Sequence, residues 1–167
     1  MPLDLPTPLV AARSLSAAGS KAYLKNETVL PTGSFKVRGA VHSLTVNLAR
    51  RRIGEVVAAS TGNHGAAVAW AAKTAGCRAT IFLPLHANSV KAERIRGLDA
   101  RLVETGADLS AAIEAAYQYA EDTGAFFLHD AADPDVPDGT ATIGAEILMQ
   151  QPAVDRIYVP MGDTALV

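Results

Sequence analysis

Lys36 lies in the stretch Thr32-Gly33-Ser34-Phe35-Lys36-Val37-Arg38-Gly39-Ala40, a single amine among small residues where a helix begins. Pro31 and Gly33 signal a turn, Ser34 takes the N-cap position, and Val37, Val41, Leu44 and Leu48 recur at spacings of three and four. Positive helix-terminal charge and unsatisfied N–H groups favour the neutral amine there, and a neutral amine forms Schiff bases. Taken alone, a lysine in a first helical turn is ordinarily a solvated surface charge. A second segment changes that reading. Ser60-Thr61-Gly62-Asn63-His64-Gly65 follows the apolar run Val56 to Ala59 and precedes the alanine-rich run Ala66 to Ala75. Strand, glycine loop and helix in that order present N–H groups to an anion such as a carboxylate or phosphate. By itself the loop fits an ordinary tight βα turn equally well.

The elements that must position these residues alternate. Helix from the lysine segment is followed by strand 55–59, helix 63–75, strand 79–83, helix 90–98, strand 100–104, helix 108–122 and strand 125–128, with glycines near the boundaries. A loop rich in Asp and Pro, 130–138, leads to a helix at 142–150 and a strand at 156–160. The pattern predicts the α/β class, with parallel strands covered by helices. No 20-to-50-residue repeat and no low-complexity linker interrupts it.

Composition narrows the function classes. The 167 residues are 49% hydrophobic and 19% charged, a folded chain rather than a disordered one. A net charge of −2 gives no electrostatic case for nucleic acid, and Arg50-Arg51-Arg52 reads as a helix C-terminus complementing the dipole. The single Cys77 excludes an internal disulfide and reads as an ordinary buried thiol, and the four histidines lack zinc spacing. With no bilayer-length apolar run and no leader pattern, the expectation is a cytoplasmic protein without membrane partners.

Ser-Phe-Lys-x-Arg-Gly-Ala and Ser-x-Gly-Asn-His-Gly, about two dozen residues apart, resemble the fold type II pyridoxal-phosphate enzymes, in the threonine/serine dehydratase and serine racemase branch. The resemblance runs from Thr7-Pro8-Leu9 through Tyr23-Leu24-Lys25 to Val159-Pro160, and Val37 fits this branch better than the aspartate of threonine and cysteine synthases. It implies a tryptophan synthase β-like fold in which 55–132 is a small mobile lobe, while 1–54 and an incomplete 133–167 belong to a large lobe. It implies pyridoxal 5'-phosphate bound to Lys36, which then removes the α-proton of a small amino-acid substrate. Phe35 would pack near the ring, Asn63 would bond its phenolic oxygen, and the N–H groups of Ser60, Thr61, Gly62, Asn63 and His64 would hold the substrate carboxylate. Gly162, Asp163, Thr164 and Ala165 would cradle the phosphate. Arg38 points away from Lys36 and takes a packing or ion-pair role, and Gly39 and Ala40 allow a close helix approach.

The implied reaction is α,β-elimination from a hydroxy amino acid, giving a 2-oxo acid and ammonia. Racemisation needs a second acid or base on the opposite face, where Thr61 aligns with the family's serine, and elimination is favoured over it. β-Replacement and a non-catalytic binding or regulatory half-protein stay open. Two departures stand out. Gly139-Thr140-Ala141-Thr142 replaces Gly-Gln-Gly-Thr, and Gly162-Asp163-Thr164-Ala165-Leu166 replaces a run of glycines, with Asp163 repelling a dianion unless turned outward. Family chains are about twice as long, so no turnover is expected of these 167 residues alone, and a homodimer or higher homo-oligomer is expected of the whole enzyme.

Overall fold

The computed structural model describes residues 3–162 and 166. Two short strands, β1 (Leu9–Ala11) and β2 (Tyr23–Lys25), pair antiparallel, with Val10 opposite Leu24. Then follow α1 (Lys36–Arg50), β3 (Glu55–Ala59), α2 (Asn63–Ala75), β4 (Arg78–Leu83), α3 (Ser89–Arg96), β5 (Arg101–Glu104), α4 (Leu109–Thr123), β6 (Phe126–Phe127) and α5 (Val136–Gln150). The sheet order is β5-β4-β3-β6, all parallel. β3 therefore has the next strand in sequence on one side and the last on the other. The gap beyond its carboxyl end, where connections leave in opposite directions, is where open parallel sheets bind ligands.

Alternation along β3 sorts the layers. Val56 and Ala58 join the larger core, with α1, α2 and α3, while Val57 faces a smaller one made with Phe82 and with Ala112 and Ala116 of α4. α2 lies between α1 and the strands β3 and β4, and Ala66, Ala67, Val68, Ala69, Ala71 and Ala72 are all buried. Gly76 and Gly124 end α2 and α4 in the left-handed region, at φ 73° and 71°, which a side chain would strain. Asp108 caps α4 by accepting the Ala111 N–H at 2.9 Å.

α1 crosses α5 without a side-chain layer between them. A Cβ on Gly39 would stand 2.7 Å from Val136 Cγ1, and one on Gly139 only 2.6 Å from the Arg38 carbonyl oxygen and 2.7 Å from His42 Cβ. The close approach expected of Gly39 is thus present, with Gly139 as its counterpart. Gly139→Ala should cost about 1–3 kcal/mol by overpacking. Gly144→Ala, in the same helix with nothing within 4 Å of its Cβ, should leave stability unchanged or raise it by up to about 1 kcal/mol. Urea midpoints of the two variants check the contrast; a Gly139→Ala midpoint equal to the parent's would show that α1 and α5 part without cost.

Four sequence expectations need correction. Ser34 does not cap α1: Phe35 is the residue before the helix, and the Ser34 hydroxyl is buried without a hydrogen-bond partner among the described residues. α5 begins at Val136, six residues earlier than the periodicity gives, because Pro137 sits in the first turn where its missing N–H is not needed. Residues 156–160 form no strand; they are exposed, and no ladder partner lies beside them among the described residues. Cys77 is half-buried rather than buried, its thiol donating to the Ile53 carbonyl at 3.3 Å while burial pushes its pKa up. The arginine run behaves as read: α1 ends at Arg50, which pairs with Asp135 at 2.8 Å, and Arg51 lies over the Phe126 ring. Among the described residues no helix is long and apolar enough to cross a membrane.

Candidate functional site

A cavity of about 450 Å³ opens at the carboxyl ends of β3 and β6. One wall is the loop from Ser60 to His64; another is Leu128 to Ala131, which follows β6; Leu109 and Ile113 of α4 line a third side, and Lys36 enters from the start of α1. The two motifs singled out in the sequence therefore meet in one place. Each arrives by a different route. Lys36 is the first residue of α1, so a turn of helix geometry fixes where its stem leaves the backbone. The loop is short because β3 runs directly into α2.

Within the loop the hydrogen-bond donors divide into used and unused. The Ser60 N–H goes to the Phe82 carbonyl at 3.1 Å, extending the sheet, and the Gly62 N–H goes to the Ser60 hydroxyl at 3.1 Å. The expected set of N–H donors is corrected accordingly. Those of Thr61, Asn63 and His64, the last two in the first turn of α2, have no partner among the described residues. Lys91 of α3 adds positive charge nearby, its Nζ 4.0 Å from where a Gly62 Cβ would stand. The Asn63 side chain is exposed to the cavity. His64 is different: its ring is buried, with Nε2 3.0 Å from the Leu128 carbonyl, and burial lowers its pKa. It is a neutral brace between α2 and the end of β6, not a side chain offered to a ligand.

Lys36 Nζ stands 2.8 Å from Asp130 Oδ2 and 5.5 Å from the centre of the Phe35 ring. Burial by itself raises the Asp130 pKa, but the hydrogen bond from Lys36 and the positive charge it brings help hold it below its usual value. Asp130 was not singled out in the sequence, where it was read as part of a loop rich in Asp and Pro. Nothing local marks it, since its meaning comes from the sheet order that places the end of β6 beside the end of β3.

Arg38, two residues after Lys36, faces the other way into a buried ion cluster. Its guanidinium spans two carboxylates, with Nε 2.6 Å from Glu27 Oε2 and Nη1 2.7 Å from Glu146 Oε1, and it donates to the hydroxyls of Thr7 and Thr142. Lys25 adds a second cation to Glu146 at 2.6 Å and donates to the Thr7 carbonyl and to Gln150. Burial raises the Glu146 pKa, but the bonds from Arg38 and Lys25 prevail and hold it down at about 2. This cluster ties Thr7 ahead of β1, the end of β2, the turn at Glu27 and α5 to the first turn of α1, and so fixes the helix end that carries Lys36. The ion-pair role read for Arg38 is correct; Thr7, Glu27 and Glu146 were missed.

Of the expected phosphate loop, Gly162 is an exposed bend, while Asp163, Thr164 and Ala165 lie outside the described residues. The Phe35 ring centre lies 5.5 Å from Lys36 Nζ.

A family model described as pyridoxal-phosphate dependent enzyme matches residues 1–167. The L-threonine ammonia-lyase of Thermotoga maritima is 42% identical over 149 residues, which is 89% of this chain and 37% of that protein. Among solved structures, the processed form of threonine deaminase isoform 2 from Solanum lycopersicum matches with a TM-score of 0.90 and 31% identity, over 96% of this chain and 47% of that one. Maize serine racemase matches with a TM-score of 0.89 and 32% identity, over 96% of this chain and 49% of that one. The chain spans between about a third and a half of the relatives it matches.

Proposed function

This chain belongs to the fold type II pyridoxal-phosphate-dependent enzymes, in the branch of threonine dehydratases and serine racemases, and from that premise we propose that the whole protein eliminates water from a small hydroxy amino acid to give a 2-oxo acid and ammonia. The observation that carries the reading is the meeting of the Lys36 amine with the unused N–H groups of the 61–64 segment in one cavity. The donor set fits pyridoxal phosphate: an amine for covalent attachment, an exposed amide at Asn63 for a ring oxygen, and N–H groups for an anion. When bound, the cofactor supplies the electron sink that makes a Cα–H bond of an amino acid breakable.

The chain's own residues do the rest. Lys36 would hold the cofactor and, when free of it, would take the proton from the α-carbon of the substrate. The N–H groups of Thr61, Asn63 and His64 orient the substrate carboxylate, helped by the N-terminal end of α2. Asn63 would hydrogen-bond a ring oxygen, Phe35 would lie near the ring beside Lys36, and the apolar side chains of Leu109 and Ile113 limit water. Residues 55–132 form the small lobe in this reading, with 1–54 and 133–167 in the large one. Gly162 and the three residues after it serve the phosphate.

Release of 2-oxobutyrate from L-threonine or pyruvate from L-serine, measured with pyridoxal phosphate in excess, tests the proposal. Formation of the D-isomer without a 2-oxo acid would replace it with racemisation, the activity named in the maize relative. Thr61 separates the two. It lines the cavity half-buried, and a racemase needs its hydroxyl to move a proton on the face opposite Lys36. Thr61→Ala should therefore leave 2-oxo acid release nearly intact while lowering any racemisation by about 10²-fold or more. Collapse of elimination together with α-proton exchange would make Thr61 an acid or base of the main reaction.

A further inference from the structure

We propose that Arg94 is a positioning residue for the turn that carries Lys36: reaching across from α3, it holds the Thr32 carbonyl and so latches the helix beside the 61–64 loop onto the lysine segment. The inference rests on the reading of Lys36 as the attachment residue. Arg94 donates through Nη2 to the Thr32 carbonyl oxygen. Gly33 makes room for it: its φ of 61° is left-handed, and a Cβ there would stand 3.1 Å from Arg94 Nη2. The missing side chain thus both lets the chain turn and leaves the guanidinium its path.

The turn needs such a tether. Thr32 is 1% exposed, so its carbonyl depends on a protein donor, and the hydroxyls of Thr32 and Ser34 are buried with no hydrogen-bond partner among the described residues. Inside the turn the Gly33 N–H donates to the Leu30 carbonyl at 2.7 Å, and the Arg38 N–H to that of Phe35 at 2.9 Å. Val37 and Ala40 seat α1 in the core, but they act on the helix and not on the turn before it. Among the described residues, Arg94 supplies the side-chain hydrogen bond that reaches the 32–34 turn from another element.

α3 is itself anchored beside the site. Ala92 and Ile95 are buried, and Ile95 Cδ1 lies 3.0 Å from where a Cβ on Gly65 would stand, so α3 is seated against the helix that follows the glycine loop. Lys91 and Arg94 are one turn apart on a shared face of α3. The first reaches the loop, its Nζ 4.0 Å from where a Gly62 Cβ would stand, and the second reaches the lysine turn. One helix therefore touches both motif segments and sets their separation. That separation matters because a ligand joined to Lys36 and held by the N–H groups of the 61–64 segment has to span it, and a small misplacement costs an oriented reaction a large factor in rate.

Amide hydrogen exchange, read residue by residue in the whole protein, tests the tether without cofactor or turnover. In Arg94→Ala the Gly33 and Arg38 N–H groups, which close the turn, should exchange about tenfold faster or more, while those at the far ends of α1 and α4, Arg51 and Gly124, keep the parent's rates. Arg94→Lys, which restores a charged donor, should recover most of the protection. Arg96→Ala, the same loss of charge from the same helix, should match the parent. Arg94→Met, which keeps an apolar stem and no donor, repeats the measurement should the alanine variant not fold. Unchanged Gly33 exchange in a natively folded variant, or equal acceleration at every amide, would overturn the proposal. A second arm adds pyridoxal phosphate and borohydride: Lys36 should carry the adduct in the parent, and in Arg94→Ala its share should fall about threefold or more in favour of other lysines. An unshifted share would show a tether that does not aim the amine and would equally overturn it. No adduct at Lys36 in the parent would instead remove the cofactor reading, while the exchange result still decides what Arg94 holds.

Discussion

Lys36→Ala should abolish the borohydride-stable adduct with pyridoxal phosphate and, on the proposed activity, lower 2-oxo acid release by a factor on the order of 10⁴ or more, with both attachment and proton transfer gone. Peptide mapping after reduction is the measurement, because it names the modified lysine among the five in the sequence. An adduct retained at Lys25, Lys73 or Lys91 would sink the assignment. Two readings of a negative result are separated by Lys36→Arg. Arginine keeps a cation opposite Asp130 and removes the nucleophile, so it should hold the parent's stability while losing the adduct. If Lys36→Arg also unfolds the chain, the lysine's first role is structural.

The second large effect concerns the buried ion cluster. Arg38→Ala leaves the carboxylates of Glu27 and Glu146 facing each other without the fork between them, a change that costs about 3–5 kcal/mol when one partner of a buried pair is removed. For a chain of this length that corresponds to a fall in Tm of roughly 10 °C. The same cluster sets a pH dependence. Glu146 has its folded pKa held down at about 2 against an ordinary 4.5. A depressed carboxylate contributes stability that is fully present above its unfolded pKa and is lost as pH falls through the folded one. The window is therefore about pH 4.5 down to about 2, with stability intact at pH 7, and the amplitude is roughly 3 kcal/mol. Urea unfolding at pH 7, 4 and 3 reads it. Glu146→Gln should be weaker at pH 7 and flatter across that window; a parent and variant with parallel pH profiles would show that another carboxylate carries the acid sensitivity.

Much of the sheet was legible because its signals are local. The limits of β3 and α2 agree with those expected from the apolar run and the glycines, since periodicity and a βα turn both act over a few residues. The site was legible in its two motifs for the same reason. Its other members were not. Asp130 lies 94 positions from Lys36, and Glu146 lies 108 from Arg38; only the sheet order and the α1–α5 crossing bring them together. The direction of Arg38 could be read from its offset of two on a helix, but not the identity of its partners. Pro137 misled because proline ends helices from within and begins them from the first turn, and the sequence alone does not distinguish those positions. The strand expected at 156–160 depends on a neighbour to pair with, and an apolar stretch carries no information about whether one is adjacent.

Evolutionary drift in this chain is unevenly constrained, and α2 shows where. Its flanks are occupied by α1, α3 and the sheet, so nearly every inward position is alanine, and even at Gly65 a methyl would stand 3.0 Å from Ile95 Cδ1 and 3.1 Å from Ile81 Cγ2. Volume filters substitutions there before polarity does: serine for alanine is a smaller insult than leucine, although leucine is the better match in hydrophobicity. Because the first turn of α2 carries the N–H groups of Asn63 and His64, that steric filter also protects their aim. Change in what the site accepts is left to the walls that are not so crowded, the segment after β6 and the start of α4 at Leu109, where a side chain can be exchanged without moving α2.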